Sequence, residues 1–143
     1  MAVADRLTIL QRTPLFQRLN KRQIERLGKR FVERSYEPGD KIVTQGKGGE
    51  GFFIIMEGQV EVVREQLDGA QVVLHSLEVG DFFGEMALLT ERLRTASVVA
   101  TESTCCLVLT RWDFLGLLRE DADMAVAVLQ ELAARFSRAL DFL

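Results

Sequence analysis

The sequence predicts a mainly β fold with flanking helices, an antiparallel, jelly-roll-like β-roll of about eight short strands. Short segments of alternating apolar and polar residues, each bounded by turn residues, crowd the middle of the chain. Both ends change to helical periodicity, and 48% apolar content over 143 residues is enough to bury one continuous core. Residues 1–143 therefore read as a single domain: a helical segment at 1–30, the roll at 31–110, and two helices within 111–143.

The elements follow in order. Asn20 suits an N-cap with Gln23 as its capping-box partner, and Ile24, Leu27 and Phe31 follow at helical spacing. Pro38-Gly39-Asp40 breaks the pattern, with strands expected on either side over Phe31–Tyr36 and Lys41–Gln45. Gly51–Glu57 and Gln59–Glu65 meet at Gly58, and Val60 and Val62 alternate with polar residues. Asp68-Gly69 is a hairpin signal ahead of Gln71–Glu78. After an interruption, Thr95–Thr101 and Thr104–Thr110 alternate again, the pattern of a sandwich or roll. Trp112–Leu118 reads as a short helix, and Asp121 opens a longer one. Along it Met124, Val128, Leu132, Phe136 and Leu140 recur every fourth residue as an apolar stripe.

Composition narrows the function classes. Eighteen Lys and Arg face 21 Asp and Glu, so the net charge of −3 gives no general case for nucleic acid. The charge is uneven: residues 1–47 hold eleven bases and five acids (+6), leaving seven and sixteen (−9) for the rest. The basic third reads as a solvated helical face rather than a surface for an acidic partner. Cys105 and Cys106 are adjacent, and neighbours on a strand point to opposite faces, which speaks against a bridge and for a reduced, cytoplasmic setting. His75 is the sole histidine, so no metal site and no cofactor are expected. No apolar run approaches the ~20 residues of a membrane span, and neither a secretory leader nor a membrane anchor is expected. Gly46, Gly48, Gly49 and Gly51 lack the Lys and Ser/Thr of a triphosphate loop and precede a strand, so they read as a loop between strands.

The interruption carries the chemistry. It runs Phe82-Phe83-Gly84-Glu85-Met86-Ala87-Leu88-Leu89-Thr90-Glu91-Arg92-Leu93-Arg94-Thr95-Ala96-Ser97. One helical turn over Glu85–Leu89 would offer unsatisfied N–H groups and a dipole that favours an anion. Gly84 lets a ligand approach the backbone, and Arg94 supplies a planar fork for two phosphate oxygens. Glu85 is an acceptor that a phosphate would repel and a sugar hydroxyl would welcome. Together they describe a pocket for a phosphate fused to a ribose.

This stretch resembles the phosphate-binding cassette of the cyclic-nucleotide-binding domains of catabolite activator proteins, cyclic-nucleotide-dependent kinases and cyclic-nucleotide-gated channels. Pro14-Leu15-Phe16, Leu19, Pro38-Gly39-Asp40, Gln45-Gly46, Phe53-Ile54, Gly58, Val60 and Val62 look like that family's first half. The resemblance implies a non-enzymatic sensor for cyclic AMP or cyclic GMP, with a cassette at 82–97 and a C-terminal lid helix that moves with ligand. It implies that Arg94 pairs with the cyclic phosphate and Glu85 accepts from the ribose 2′-hydroxyl. Gly84, Ala87 and Thr95 would offer backbone N–H groups, Met86 belongs with these cassette residues, and Val62 and Leu77 would wall the purine. His75, beside Leu77, faces either the base or a neighbouring side chain. Arg135 sits where some channel members place a base-contacting arginine. Leu93 departs from the family, which usually has proline before the arginine.

The lid stripe also suits a homodimer seam, and an effector domain or protein would be a further partner. Neither nucleic acid nor membrane is expected to touch the chain. Two rivals stand beside this reading. A metal-dependent cupin on a similar roll would need several converging His or carboxylate ligands. A sensor of the same fold that has lost nucleotide binding, or answers to another small effector, would have less reason to keep both Glu85 and Arg94.

Overall fold

The computed structural model of the chain describes residues 3–48, 51–91 and 93–141. Gly49 of the glycine-rich run and Arg92 of the cassette lie outside them. The chain divides into a helical unit (Met1–Arg30 with Trp112–Leu143) and a β unit (Phe31–Arg111).

In the helical unit, α1 (Val3–Arg12) and a 3-10 turn (Pro14–Phe16) precede α2 (Lys21–Gly28). The capping box forms as expected: the Asn20 side chain accepts from the Gln23 N–H, and Gln23 Oε1 accepts from the Asn20 N–H, both at 2.9 Å. Ile24 and Leu27 are buried on α2, whereas Phe31 lies beyond the helix end, not on its apolar face. The last helices are α3 (Arg111–Glu120) and α4 (Ala122–Leu140), the latter capped by Asp121, whose side chain accepts from the Met124 N–H.

The expected stripe on α4 divides. Met124 and Val128 are buried with Ala127 and Glu131, but Phe136 and Leu140 are 66% and 47% exposed. At 3.6 residues per turn, a step of four residues overshoots the turn, so Met124 and Leu140 lie about 160° apart around the axis. The buried set instead follows the i, i+3, i+4, i+7 spacing of one helix face.

Most of the bases of the N-terminal third are exposed, among them Arg12, Lys21, Arg22 and Lys29, but three arginines are paired within this unit. Arg26 pairs with Asp121 at 3.0 Å and Glu120 at 3.5 Å, and Arg30 with Glu120 at 3.5 Å. Arg18 reaches the buried carboxylate of Glu131 at 3.3 Å.

The β unit holds eight described strands: β1 (Val32–Tyr36), β2 (Lys41–Val43), β3 (Gly51–Glu57), β4 (Gln59–Glu65), β5 (Gln71–Glu78), β6 (Phe82–Phe83), β7 (Ser97–Ala100) and β8 (Thr104–Thr110). They form two four-stranded antiparallel sheets, β1-β8-β3-β6 and β2-β7-β4-β5. Phe53, Ile55, Val60, Val62, Val98, Cys106 and Val108 form the buried cluster that draws on both sheets. Because strand side chains alternate, these are every-second-residue positions of β3, β4 and β8, joined by Val98 of β7.

Three strands differ from expectation. β2 stops at Val43, β7 starts only at Ser97, and the two-residue β6 pairs Phe83 with Phe53 and Phe82 with Ile54. β4 and β5 form the hairpin announced by Asp68-Gly69. At its tip Gly69 has φ +85° and the Asp68 carboxylate accepts from the Ala70 N–H at 2.9 Å.

Candidate functional site

The site is built where the chain leaves β6. Phe83 stacks on the buried Phe53, with ring centroids 4.8 Å apart and planes within 4°. That contact fixes the exit of the strand. Gly84 then takes the left-handed conformation (φ +84°) and starts a 3-10 turn over Glu85–Leu88. Buried Ala87 and Leu88 anchor the turn and hold Glu85 half-buried at its first position.

The facing wall comes from residues 93–96. Leu93 bridges Gly48, the Arg94 N–H donates to the Lys47 carbonyl, and the Gly46 N–H donates to the Arg94 carbonyl, both bonds 2.8 Å. Arg94 is thus pinned on both sides of its backbone with leucine in the place of proline. Its Nη2 donates to the Gly51 carbonyl at 2.8 Å, which aims the guanidinium across the start of β3. A Cβ on Gly84 would collide with that same carbonyl oxygen and lie 2.7 Å from Arg94 Nη1. Glycine is needed at 84 for space as well as for φ.

Two lobes with shared walls result. The first, about 360 Å³, is lined by Phe82, Phe83, Gly84, Glu85, Met86, Ala87, Leu93, Arg94 and Thr95. The second, about 210 Å³, shares Phe82, Phe83, Gly84, Arg94 and Thr95 and adds Val43, Val62, His75, Leu77, Ala96 and Val98. The first lobe falls within the size range of small-molecule sites. Arg94 lines both lobes; the first adds the Glu85 carboxylate, and the second adds the aliphatic side chains of Val43, Val62, Leu77, Ala96 and Val98. His75 stands directly across from Val62, and Leu77 from Val60, so both share the face of β4's inward valines.

Nine of the ten sequence-predicted residues therefore line the two lobes. Arg135 is the exception: it lies on α4 in the helical unit, its Nε 3.9 Å from the Glu131 carboxylate. Ala87 also differs in one respect, since its N–H closes the 3-10 turn on the Gly84 carbonyl at 3.0 Å. An anion there would have to share that hydrogen in a three-centre bond. Phe82, Phe83, Val43, Ala96 and Val98 complete the lining without having been singled out. For Phe82 and Phe83 the signal was the adjacent apolar pair ahead of Gly84, which looks like ordinary core until its pairing with β3 is known. Among the described residues, no group of three or more His, Cys, Asp and Glu is placed to hold a metal ion.

A profile of the cyclic nucleotide-binding domain matches residues 33–121, well over half of the chain and the whole of the lined segment. The chain belongs to the cyclic nucleotide-binding domain family. Within it, the chain is 37% identical over 128 residues to the cyclic AMP receptor protein of Thermus thermophilus, covering 90% of this chain and 57% of that protein. It is 36% identical over 118 residues to a cGMP-dependent protein kinase of Drosophila melanogaster, covering 80% of this chain and 13% of the kinase. The crystal structure of the N-terminal domain of a transcriptional regulator from Streptomyces coelicolor superposes with a TM-score of 0.84, at 28% identity and 93% coverage of both chains. This cyclic nucleotide-binding chain spans little more than half the length of the Thermus protein, and far less of the kinase.

Proposed function

We propose that the chain is a sensor that binds cyclic AMP or cyclic GMP between these lobes and performs no chemistry on it. The carrying observation is that Arg94 and Thr95 line both lobes, so a ligand with its anion on Arg94 has an aliphatic wall within reach. The cyclic phosphate takes the Arg94 fork, and the ribose 2′-hydroxyl donates to Glu85. Gly84, Met86, Ala87 and Thr95 surround the phosphate and sugar, while Val62, Leu77 and His75 face the purine. Thr95 lines both lobes, which supports a role for its hydroxyl toward either phosphate or base.

The signal leaves through α4, in a cytoplasmic setting and toward an effector domain or protein. In the ligand-bound state Arg135 exchanges part of its pairing with Glu131 for the base. The exposed Val126, Leu129, Phe136 and Leu140 support a homodimer through the same helix. No described helix is long and apolar enough to cross a membrane.

Calorimetric titration of the purified chain with both nucleotides tests the reading. Saturable one-site binding of either supports it, and the ratio of the two affinities assigns the base. Heat indistinguishable from dilution for both overturns it. Sedimentation of wild type against Phe136→Glu tests the dimer, which should dissociate in the variant.

A further inference from the structure

We infer that Gln45 is a positioning residue for the phosphate-binding arginine, its side-chain amide standing in for a strand partner that β4 lacks. The inference rests on the proposed nucleotide site and extends it to a residue that touches neither lobe.

The argument starts from the ladder. β4 pairs with β7 through Val60↔Ala100, Glu61↔Val99, Val62↔Val98 and Val63↔Ser97. Continued by two residues, this register would set Glu65 opposite Thr95. The ladder ends at Ser97 because residues 94–96 turn out of the sheet to line the lobes. Backbone groups of β4 that would have faced this stretch are left to water or to other partners.

Gln45 supplies them. Its Nε2 donates to the Glu65 carbonyl at 3.0 Å, and its Oε1 accepts from the Glu65 N–H at 2.7 Å. A carboxamide carries a donor and an acceptor side by side, as a peptide unit does, so it completes the interrupted lane from the side. Arg64 works across the same gap, its Nε donating to the Thr95 carbonyl at 3.4 Å.

The clasp reaches Arg94 through Gln45's own backbone. The Gln45 N–H donates to Ser97 Oγ at 2.9 Å, and the next residue, Gly46, donates to the Arg94 carbonyl at 2.8 Å. Lys47 accepts from the Arg94 N–H. One side chain therefore ties the end of β4 to the segment that grips Arg94 on both sides. Glutamate at 45 would keep the acceptor and lose the donor, and alanine would lose both.

The test is a double-mutant cycle by calorimetry with cyclic AMP and cyclic GMP, using Gln45→Ala, Gln45→Glu, Arg94→Ala and the double variant Gln45→Ala/Arg94→Ala. Loss of two hydrogen bonds that order the arginine predicts about tenfold weaker binding for Gln45→Ala, and at least as large a loss for Gln45→Glu, whose second carboxylate oxygen would oppose the Glu65 carbonyl. In the Arg94→Ala background, Gln45→Ala should cost nothing more, because there is no guanidinium left to position. Wild-type affinity in Gln45→Ala, or fully additive losses in the double variant, would overturn the inference. Amide exchange of Gly46 and Arg94 in nucleotide-free protein provides a readout independent of ligand. It should quicken in Gln45→Ala while amides of β3 and β8 keep their protection, and unchanged exchange at Gly46 and Arg94 also overturns it. If wild type binds neither nucleotide, the proposed function fails and the exchange experiment still decides the clasp.

Discussion

Arg94 and Glu85 sit on opposite walls of one lobe and have opposite charges, so their removal should read out on different parts of a ligand. Arg94→Ala leaves a desolvated phosphate without its cation, a loss of about 2–5 kcal/mol. Calorimetry should therefore show affinity falling about 30-fold or more, with the thermal midpoint of unfolding little changed. Binding within a factor of about three of wild type would remove Arg94 from the site. For Glu85→Ala the informative probe is a 2′-deoxy cyclic nucleotide. Wild type should bind it about 1.5–3 kcal/mol more weakly than the parent nucleotide, and the variant should scarcely distinguish the two. Equal sensitivity of both ligands to the mutation would show that Glu85 does not read the ribose. These residues were legible in the sequence because a cation, an acceptor and a glycine at fixed spacing state a chemistry by themselves. Gln45 was visible only as half of the family-like Gln45-Gly46 pair, since its role depends on where β7 ends, and no spacing along the chain reports that.

At the scale of elements, long alternating strands and capped helices could be read from local pattern, and β3, β4, β5 and β8 lie where expected. What escaped was set by tertiary pairing. The two residues of β6 are too few to show a period, and β2 stops at Val43 as Gln45 and Gly46 turn toward Ser97 and Arg94. Counting every fourth residue on α4 follows a line that spirals around the helix, which is why its far end is exposed. The same geometry locates where α4 should move. Arg18, Arg135 and Arg138 converge on the buried carboxylate of Glu131, and from Phe136 to Leu140 every residue is exposed. Few tertiary contacts mark a segment that opens below the global unfolding energy. Hydrogen exchange of amides from 132 to 140 should slow when nucleotide is added, and truncation after Glu131 should weaken binding while the β unit stays folded. Slowing confined to residues 84–96 at saturating nucleotide would make α4 a fixed element.

For the molecule as a whole, the sulfur chemistry gives a pH signature. Burial pushes the Cys106 thiol up to about 12, with the neighbouring Cys105 adding to it, and Cys105 rises to about 11 through burial and its hydrogen bond to Glu33. Both folded values lie above the ordinary 9.0, so the folded state holds more protons between pH 9 and 12. Stability tied to these thiols is present in full below pH 9 and is lost as the pH rises through that window. Urea midpoints measured from pH 8 to 11 should fall, and replacing both cysteines with alanine should flatten that part of the decline. Alkylation by iodoacetamide at pH 8 should be slow in the folded chain and fast in urea, because the thiolate is the reactive form.

The β4–β5 hairpin has a use in construction. Its tip is open, with Leu67 fully exposed and free space around Gly69, while the strand that returns from it carries His75 and Leu77 along the second lobe. A reporter domain spliced between Asp68 and Gly69 would enter at a place where loop length is cheap. It would also be anchored to the strand that faces the purine. Any shift of that strand on ligand binding would pass directly into the insert, so this turn is where a fluorescent readout of the ligand could be engineered without replacing any residue that lines the lobes.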